Sequence, residues 1–319
     1  MLVSAGECLI DQFRRGPDQN GEVHAVNLPG GSPFNVAIAM AALGAQSGFL
    51  CPTSKDSLGE ILRERLRETE VVNLCSNLVV APTARAVVTT DVSGHPSYQF
   101  FRDKSADRSL DLAELLGALP GNLEALHFGS LMLAQERDWL VWRVVVEAAK
   151  SRGAYIAFDP NLRPALIDDM NRYPARLTEA LALSDLVKLS DEDLQILYPA
   201  KSAESVLWDW RDRFDFQALI LTRGAQGARG WTSSGFEVDV APSMVGDVVD
   251  TVGAGDTFQG ALMAWLHHEK AWREELSGQR LFALLTFATR AAGLNCLRPG
   301  CAPPTLSEVG ALVEDAYEE

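Results

Sequence analysis

The chain has 319 residues, of which 47% are hydrophobic, and this is enough for one large α/β domain or two smaller ones with full cores. A formal net charge of −15 argues against nucleic acid and anionic membrane surfaces as partners, because both attract patches of Lys and Arg. Five cysteines without a C-x-x-C pair indicate neither a disulfide framework nor a zinc site, and an N-terminus without an export signal favours the cytoplasm.

Short apolar runs alternate with longer amphipathic stretches along the chain, which favours βα units around a mostly parallel sheet. No internal repeat or low-complexity linker interrupts them, so we predict a single domain over residues 1–319. The first strand is predicted over residues 2–5, and it continues past Gly6 to Asp11. Asp11 is typical of a turn aspartate, and the residue pattern alone gives it no other role.

A double glycine, Gly30-Gly31, precedes a predicted Ala-rich helix, and Gly44 is suited to the C′ position of that helix. Two glycines permit a close backbone approach to a ligand, but any loop uses the same residues. A strand near residues 46–50 and a charged helix over 57–69 follow.

Residues 83–90 and 97–101 are rich in β-branched and aromatic side chains, and Ser93-Gly94 lies between them. This pattern predicts a β-hairpin that projects from the α/β domain as a flap. Arg102 follows the hairpin, and the pattern allows either a solvated surface side chain or a substrate contact.

Strand 126–130 leads to a helix over 136–151 whose apolar residues recur at core spacing. The next strand, over 155–158, ends in the string Asp159-Pro160-Asn161-Leu162-Arg163. Polar groups at the carboxyl end of such a strand lie where open α/β sheets bind ligands, although the same residues also turn the chain.

Strand 185–190 leads into a helix whose first turn carries Glu192 and Asp193, acids that the helix dipole already explains. Further strands are predicted over 217–222, 228–232 and 236–240, and a final helix over 281–295.

Residues 250–258, Asp-Thr-Val-Gly-Ala-Gly-Asp-Thr-Phe, combine small residues with the start of a helix. Gly253, Ala254 and Gly255 let backbone N–H groups converge, and the helix directs its positive end to the same point. A phosphate fits there, and Asp256 is placed to take a proton from a hydroxyl that attacks it. The alternative is an ordinary glycine turn with an aspartate as dipole partner. The sequence has no G-x-x-x-x-G-K-[ST] loop to hold a phosphate instead.

Over nine consecutive positions this string resembles the second signature of the carbohydrate kinases related to ribokinase, the PfkB family. The Gly30-Gly31 segment is similar to the first signature, and Asp159 to Arg163 is similar to the Asp-Pro-Asn-x-Arg of bacterial fructokinases. The resemblance implies a ribokinase-like three-layer α/β/α fold with a mostly parallel central sheet. It also implies a small β-lid formed by residues of about 12–29 and 83–103.

The same resemblance implies roles for individual residues. Asp256 would be the catalytic base, with the backbone of Gly253, Ala254 and Gly255 as the anion hole for the transferring phosphoryl group. The implied sugar-binding residues are Asp11, Gly30, Gly31, Asn35, Arg102, Asn161 and Arg163. The implied ATP contacts are Lys188, Thr222, Gly224, Gly227, Gly253, Gly255 and Asn295.

Two metal sites are also implied. The family often has Asn-x-x-Glu where this chain has Ser190 and Asp193, so Mg²⁺ would be held through water by Asp193 or its neighbour Glu192. A K⁺ loop would use the oxygens of Asp250, Val252, Arg298 and Gly300.

The resemblance therefore implies an enzyme that transfers the γ-phosphoryl group of ATP to a sugar hydroxyl, with O6 of fructose favoured. One alternative is 2-keto-3-deoxygluconate kinase or another sugar or nucleoside kinase of the family, and a carboxylate substrate would need Arg102 or Arg163. A binding-only relative is a further alternative, although such a protein has no need of the base. A homodimer through the lid is expected, because an exposed hairpin edge invites pairing.

Overall fold

The computed structural model describes residues 1–17, 23–90, 96–243 and 246–315. Over these residues the strands are β1 (Leu2–Ala5), β2 (Leu9–Pro17), β3 (Val23–Gly30), β4 (Ser47–Leu50), β5 (Val72–Asn73), β6 (Ala84–Thr90), β7 (Pro96–Phe101), β8 (Ala125–Gly129), β9 (Tyr155–Asp159), β10 (Leu186–Ser190), β11 (Ala218–Thr222), β12 (Ala228–Thr232) and β13 (Glu237–Val240). The helices are α1 (Ser32–Ala42), α2 (Ser57–Glu68), α3 (Leu112–Ala118), α4 (Glu136–Ser151), α5 (Tyr173–Leu183), α6 (Asp191–Leu197), α7 (Ala203–Arg213), α8 (Ala254–His268), α9 (Gly278–Asn295) and α10 (Leu306–Asp315).

The main sheet has the strand order β13-β12-β11-β10-β9-β8-β1-β4-β5. All neighbours from β11 to β5 are parallel, and β12 and β13 add an antiparallel edge. The central strands are buried on both faces, as the short, continuous apolar runs of the sequence predict. The carboxyl ends of the parallel strands therefore meet at one edge, where ligands bind in such sheets.

Helices cover both faces of this sheet and give the predicted three layers. On one face, Trp139 and Trp142 of α4 pack with Phe128 and Phe158 of the sheet. On the other face, α1, α8 and α9 pack against residues such as Leu2. Helices α1 and α8 approach closely, because a Cβ on Gly260 of α8 would lie 2.6 Å from the Cβ of Ala39. No helix within the described ranges is long and apolar enough to cross a membrane.

A second sheet, of order β3-β2-β6-β7, forms the lid. The antiparallel pairing of β6 with β7 confirms the predicted hairpin, while its turn at Ser93-Gly94 lies outside the described residues. The predicted continuation of the first strand to Asp11 is wrong, because β1 ends at Ala5 and β2 belongs to the lid. Gly6 causes the break: it has φ +140°, and a Cβ there would lie 2.5 Å from Pro33. The lid thus begins earlier than predicted, and Asp11 is part of it.

Candidate active site

Asp256 lies in the first turn of α8 at the carboxyl edge of the main sheet and is 8% exposed. Its Oδ1 accepts hydrogen bonds from Ser32 Oγ at 2.7 Å and Asn161 Nδ2 at 3.3 Å, and its Oδ2 accepts one from Asn35 Nδ2 at 2.8 Å. Burial raises the pKa of Asp256, while the hydrogen bonds from Asn35 and Ser32 and the charges of Lys188 and Arg163 oppose the shift. The carboxylate is therefore fixed in direction by donors on two other elements.

The start of α8 forms the predicted anion-binding turn, with one correction. Gly253 is its N-cap, with φ +75°, and a Cβ there would lie 2.5 Å from Cys301 Sγ, so glycine is required. The amide of Ala254 donates to Thr251 O at 3.2 Å, so it is already occupied within the turn. Within the described chain, the amides of Gly253, Gly255 and Asp256 have no acceptor. Two of the three predicted amides, those of Gly253 and Gly255, are thus free to receive an anion, and the Asp256 amide is free beside them.

Lys188 and Asp159 form a buried ion pair beside this turn, with Nζ 2.7 Å from Oδ2. Burial raises the pKa of Asp159 to about 6, against the lowering effect of Lys188. Burial alone would lower the pKa of Lys188, but the neighbouring carboxylates, led by Asp159, raise it. A Cβ on Gly255 would lie 3.4 Å from Lys188 Nζ, so the ammonium faces the first turn of α8. The contact of Lys188 with ATP stays a prediction, and the ammonium faces the helix start at which a phosphate is expected.

Asp11 and Gly30 are diagonal neighbours on the lid strands β2 and β3, since Asp11 pairs with Leu28 and Gly30 pairs with Leu9. A Cβ on Gly30 would come within 2.5 Å of Asp11 Oδ2, so glycine there makes room for the carboxylate. Burial raises the pKa of Asp11 to about 6, with Arg163 lowering it and Asp256 raising it. The lid carboxylate, the exposed Arg163 and the base thus lie close enough to influence one another.

Gly31 is the N-cap of α1 with φ +112°, and a Cβ there would lie 2.7 Å from Glu7 O. It therefore allows the helix that carries Ser32 and Asn35 to start against the end of the first strand. Glycine at position 31 is thus needed for the close approach of α1 to the backbone at Glu7.

Arg102 is neither solvated nor free. It is 7% exposed, and its Nε donates to Asp107 Oδ2 at 2.7 Å. Asp138 lies 3.9 Å from its Nη1. The predicted alternative of a solvated surface side chain is therefore wrong. Arg102 is buried, and its ion pairs tie the end of the lid to the main domain. Arg102 nevertheless lines a cleft of about 220 Å³ beside the lid, together with Phe100 and Leu166.

The loop after β9 carries Asn161, which has a left-handed φ of +34°. Its amide N–H donates to Asp159 Oδ1 at 3.1 Å, and this bond helps to hold the strained backbone that presents the side chain to Asp256. Arg163 Nη1 donates to Leu162 O at 2.8 Å. The Asp159–Arg163 string therefore supplies the ion-pair partner of Lys188, a hydrogen-bond donor to Asp256 and the exposed Arg163 side chain.

Asp193 has a structural task that the sequence does not indicate. Its Oδ2 completes a capping box with Ser190, and its Oδ1 accepts the Leu162 amide at 2.8 Å. It is buried, whereas Glu192 is exposed. Water-mediated Mg²⁺ binding by either residue stays a prediction.

The predicted nucleotide turn lies at the carboxyl end of β11. Thr222 Oγ1 donates to Leu189 O at 3.3 Å, and Gly224 and Gly227 have φ values of +50° and +82°. A Cβ on Gly227 would lie 2.0 Å from Val240 O, so glycine there permits the approach of β13.

The predicted cation loop is brought together around Asp250, whose Oδ1 accepts the Val252 amide at 3.0 Å and whose Oδ2 accepts the Gly300 amide at 2.8 Å. The Arg298 side chain pairs with Glu308 of α10, and the predicted use of the Arg298 backbone oxygen for K⁺ stays a prediction. The expectation that Asn295 contacts ATP is corrected, because its residue exposure is 0%.

Asn295 holds the loop together. Its Nδ2 donates to Val252 O at 2.8 Å, and its Oδ1 accepts from Thr257 Oγ1 at 3.2 Å and from the Ala302 amide at 2.9 Å. One amide side chain thus joins the glycine turn, α8 and the C-terminal loop.

Sequence reasoning missed two polar residues at this site. Ser32 donates to the base, and Asp159 neutralises Lys188. Ser32 lies inside the first signature, so its position between Gly31 and Asn35 was an available signal. Nothing local marks the pairing of Lys188 with Asp159, because it joins two neighbouring strands.

A buried carboxylate, unoccupied helix-start amides and an ammonium lie together at the start of α8, an arrangement suited to moving a phosphoryl group to a hydroxyl. The family model for pfkB family carbohydrate kinases matches residues 1–308. The chain belongs to this family. The PfkB-family chain is 34% identical to a fructokinase of Rhizobium leguminosarum bv. trifolii over 266 residues, which are 83% of this chain and 79% of the relative.

Solved structures of fructokinases have the same fold as this PfkB-family kinase. Fructokinase with bound ATP from Xylella fastidiosa superposes with a TM-score of 0.88 at 27% identity, covering 99% of this chain and 98% of that one. A fructokinase double mutant from Vibrio cholerae O395, with fructose, ADP and potassium ion bound, gives a TM-score of 0.81 at 28% identity and covers 97% of each chain. The ribokinase-like architecture expected from the signatures is therefore confirmed.

Proposed function

We propose that this chain is a fructokinase, which transfers the γ-phosphoryl group of ATP to O6 of fructose. The observation that carries the proposal is the buried Asp256 carboxylate, held by Ser32 and Asn35 beside the open amides of Gly255 and Asp256. Its similarity to fructokinases over most of its length supports the choice of sugar. We place the main sheet and the lid in one kinase domain.

In this proposal the sugar lies between the lid and α8. Asp11 accepts hydrogen bonds from sugar hydroxyls, and Arg163, beside it, orients the same sugar. Asp256 takes the proton of the attacking hydroxyl, and its raised pKa suits this work because a base whose pKa lies closer to the working pH accepts a proton more readily.

The phosphate side of the site uses the helix start. The amides of Gly255 and Asp256 and the ammonium of Lys188 receive the negative charge that spreads over the transferring group. Asp193 or Glu192 would hold Mg²⁺ through water, and the ion would neutralise phosphate charge when bound. The glycine turn after Thr222 is the proposed nucleotide contact, and the Asp250 loop is the proposed K⁺ site.

A 2-keto-3-deoxygluconate substrate is less well supported. A carboxylate requires a cation with donors to spare, and Arg102 already pairs with Asp107 and lies near Asp138. Of these two arginines, Arg163 is the exposed one, and it would have to bind the carboxylate without help from Arg102.

The test is ADP release from Mg-ATP with a panel of fructose, ribose, glucose, tagatose, adenosine and 2-keto-3-deoxygluconate. Fructose should rank first by kcat/KM. In Asp256→Asn, kcat should fall by about 10²–10⁴ while sugar binding by calorimetry is kept, because the amide cannot accept the proton. A higher kcat/KM for the keto acid than for fructose would show that the keto acid is the preferred substrate. Near-normal turnover in Asp256→Asn would show that Asp256 is not the catalytic base.

We further propose that the enzyme works in the cytoplasm as a homodimer joined through the lid. The lid sheet ends in two edge strands, β3 and β7. Phe13, Val26 and Leu28 of this sheet are 38%, 37% and 42% exposed, which is unusual for a cluster of apolar side chains on a lone protomer.

A further inference from the structure

Two polar side chains that lie buried between the main sheet and α8 have polar atoms without a hydrogen-bond partner. His127 Nε2 and both amide atoms of Gln259 have no hydrogen-bond partner among the described residues. His127 is 1% exposed and Gln259 is 0% exposed. Because buried polar groups in folded proteins are nearly always paired, by protein or by water, these atoms indicate a further hydrogen-bonding site.

The strand registers place His127 on the same face of the sheet as Lys188. His127 of β8 pairs with Ala157 of β9, and Ala157 pairs with Leu186 of β10. Lys188 is two residues beyond Leu186 and therefore points to the same side. This is the side on which α8 packs.

The helix geometry directs the Gln259 side chain towards His127 and Lys188. Gly260 contacts α1, and Thr257 bonds to α9, so these directions are occupied. Gln259 projects about 100° from Gly260 and away from Thr257, which is the direction of the sheet. One turn earlier, a Cβ on Gly255 would lie 3.4 Å from Lys188 Nζ.

The tautomer of His127 follows from its neighbours. Ser4 Oγ donates its single proton to Pro33 O at 2.7 Å, so it must accept from His127 Nδ1, which is 2.9 Å away. Burial lowers the pKa of His127 to about 3, with a smaller contribution from Lys188, so the ring is neutral. Nε2 is therefore a bare acceptor that needs a donor.

We infer that one buried water joins Lys188, His127 and Gln259, accepting an N–H of Lys188 and donating to His127 Nε2 and Gln259 Oε1. A cation in this place would be repelled by the Lys188 ammonium. His127 and Gln259 are then positioning residues, because they fix the direction in which Lys188 presents its remaining N–H to the first turn of α8. The inference rests on the proposed phosphate contact of Lys188.

A double-mutant cycle tests the positioning role. Gln259→Met keeps the length of the side chain and removes its polar atoms, so we expect kcat to fall about tenfold with an unchanged KM for fructose. In a Lys188→Met background the same change should have no further effect, because the group that is positioned is gone. The control is Met263→Leu, one turn further along α8, which should leave kcat at the wild-type value.

Two measurements on the wild-type protein test the site without turnover. Nitrogen-15 NMR of the histidine rings should show His127 neutral and protonated at Nδ1 at pH 7, and a high-resolution crystal structure should show the water on Gln259 and His127. Additive losses in the cycle, an Nε2–H tautomer, or a direct Gln259–His127 bond without water would each overturn the inference. Failure to phosphorylate fructose would instead overturn the proposed function and leave these two measurements intact.

Discussion

At the scale of single residues, the site combines carboxylates whose environments differ. Asp11 and Asp159 both have pKa values raised to about 6 by burial, but only Asp159 has a lysine against it. Asp11 instead lies on the lid near Arg163 and Asp256. Within the part of the chain that the structure describes, Asp11 has no ion-pair partner in contact. Such a partly buried carboxylate is costly for folding and suited to accepting hydrogen bonds from hydroxyls once ionised.

We predict that Asp11 contributes one ionisation to the pH dependence of sugar capture. Below pH of about 6 the carboxyl is protonated and binds hydroxyls less well, so kcat/KM for fructose should fall as the pH falls. In Asp11→Asn, the slope of log kcat/KM against pH on the acid side should be smaller by about one. Equal slopes in the two proteins would remove Asp11 from sugar binding.

The raised pKa of Asp11 also predicts that Asp11→Asn is more stable than the wild type at high pH. The pKa of Asp11 rises from 3.8 to about 6 on folding, so its contribution to the free energy of unfolding is full below pH 3.8 and is lost as the pH rises through about 6. Asp11→Asn should therefore unfold at a higher temperature than the wild type at pH 8, and this difference should shrink at pH 4. A lower melting temperature at pH 8 would contradict the shift.

At the scale of elements, the contact of Asp256 with two of its three donors depends on how α1 and α8 cross. Ser32 and Asn35 lie in the first turn of α1, and Asp256 lies in the first turn of α8. The helices approach closely at Gly260, where a Cβ would lie 2.6 Å from Ala39 Cβ and 3.2 Å from the backbone of α1. The distance between α1 and α8 is therefore set at Gly260, one turn along α8 from the Asp256 carboxylate that this packing holds in position.

Gly260→Ala should push the two helices apart. We expect a loss of about 1–3 kcal/mol in the free energy of unfolding, as for other overpacked cores, and a lower kcat because the donors to Asp256 shift. Gly310→Ala in α10 is the matched control, since an added Cβ there has nothing within 4 Å. Denaturant titration and steady-state kinetics of both variants give the answer, and equal behaviour would show that α1 and α8 tolerate the added methyl group.

Elements were predictable where the local pattern was strong. Helix α4 spans Glu136–Ser151, the range predicted where apolar residues such as Trp139 and Trp142 recur at helical spacing. The lid strand β2 was misassigned because a bend at one glycine sends the chain into another sheet, and apolar spacing does not record such a bend. The first signature could have pointed to Ser32 itself, but not to its contact with Asp256, because that contact depends on the packing of two distant helices.

At the scale of the whole molecule, the lid presents an apolar surface that the protomer does not cover. The β2–β3 register pairs Asp11 with Leu28 and Phe13 with Val26, so the apolar side chains share the face of Asp11. A second lid laid on this face would border the sugar site.

Leu28→Glu should convert the proposed dimer to a monomer, because it places a charge in the apolar contact. Sedimentation velocity at micromolar concentration should show a dimer for the wild type and a monomer for the variant. Val80→Glu is the control, since Val80 is 86% exposed and lies outside the lid strands. A monomeric wild type would remove the lid as an interface.

The bonds of Asp256 to Ser32 and Asn35 span 224 and 221 residues of the chain. During synthesis the first helix leaves the ribosome long before the residue that its side chains hold in place. Asn295 and the Ala302 amide, which tie down the glycine turn, emerge later still. A nascent chain thus lacks Asp256 until α8 has emerged, and nearly the whole protein must be made before the glycine turn is secured.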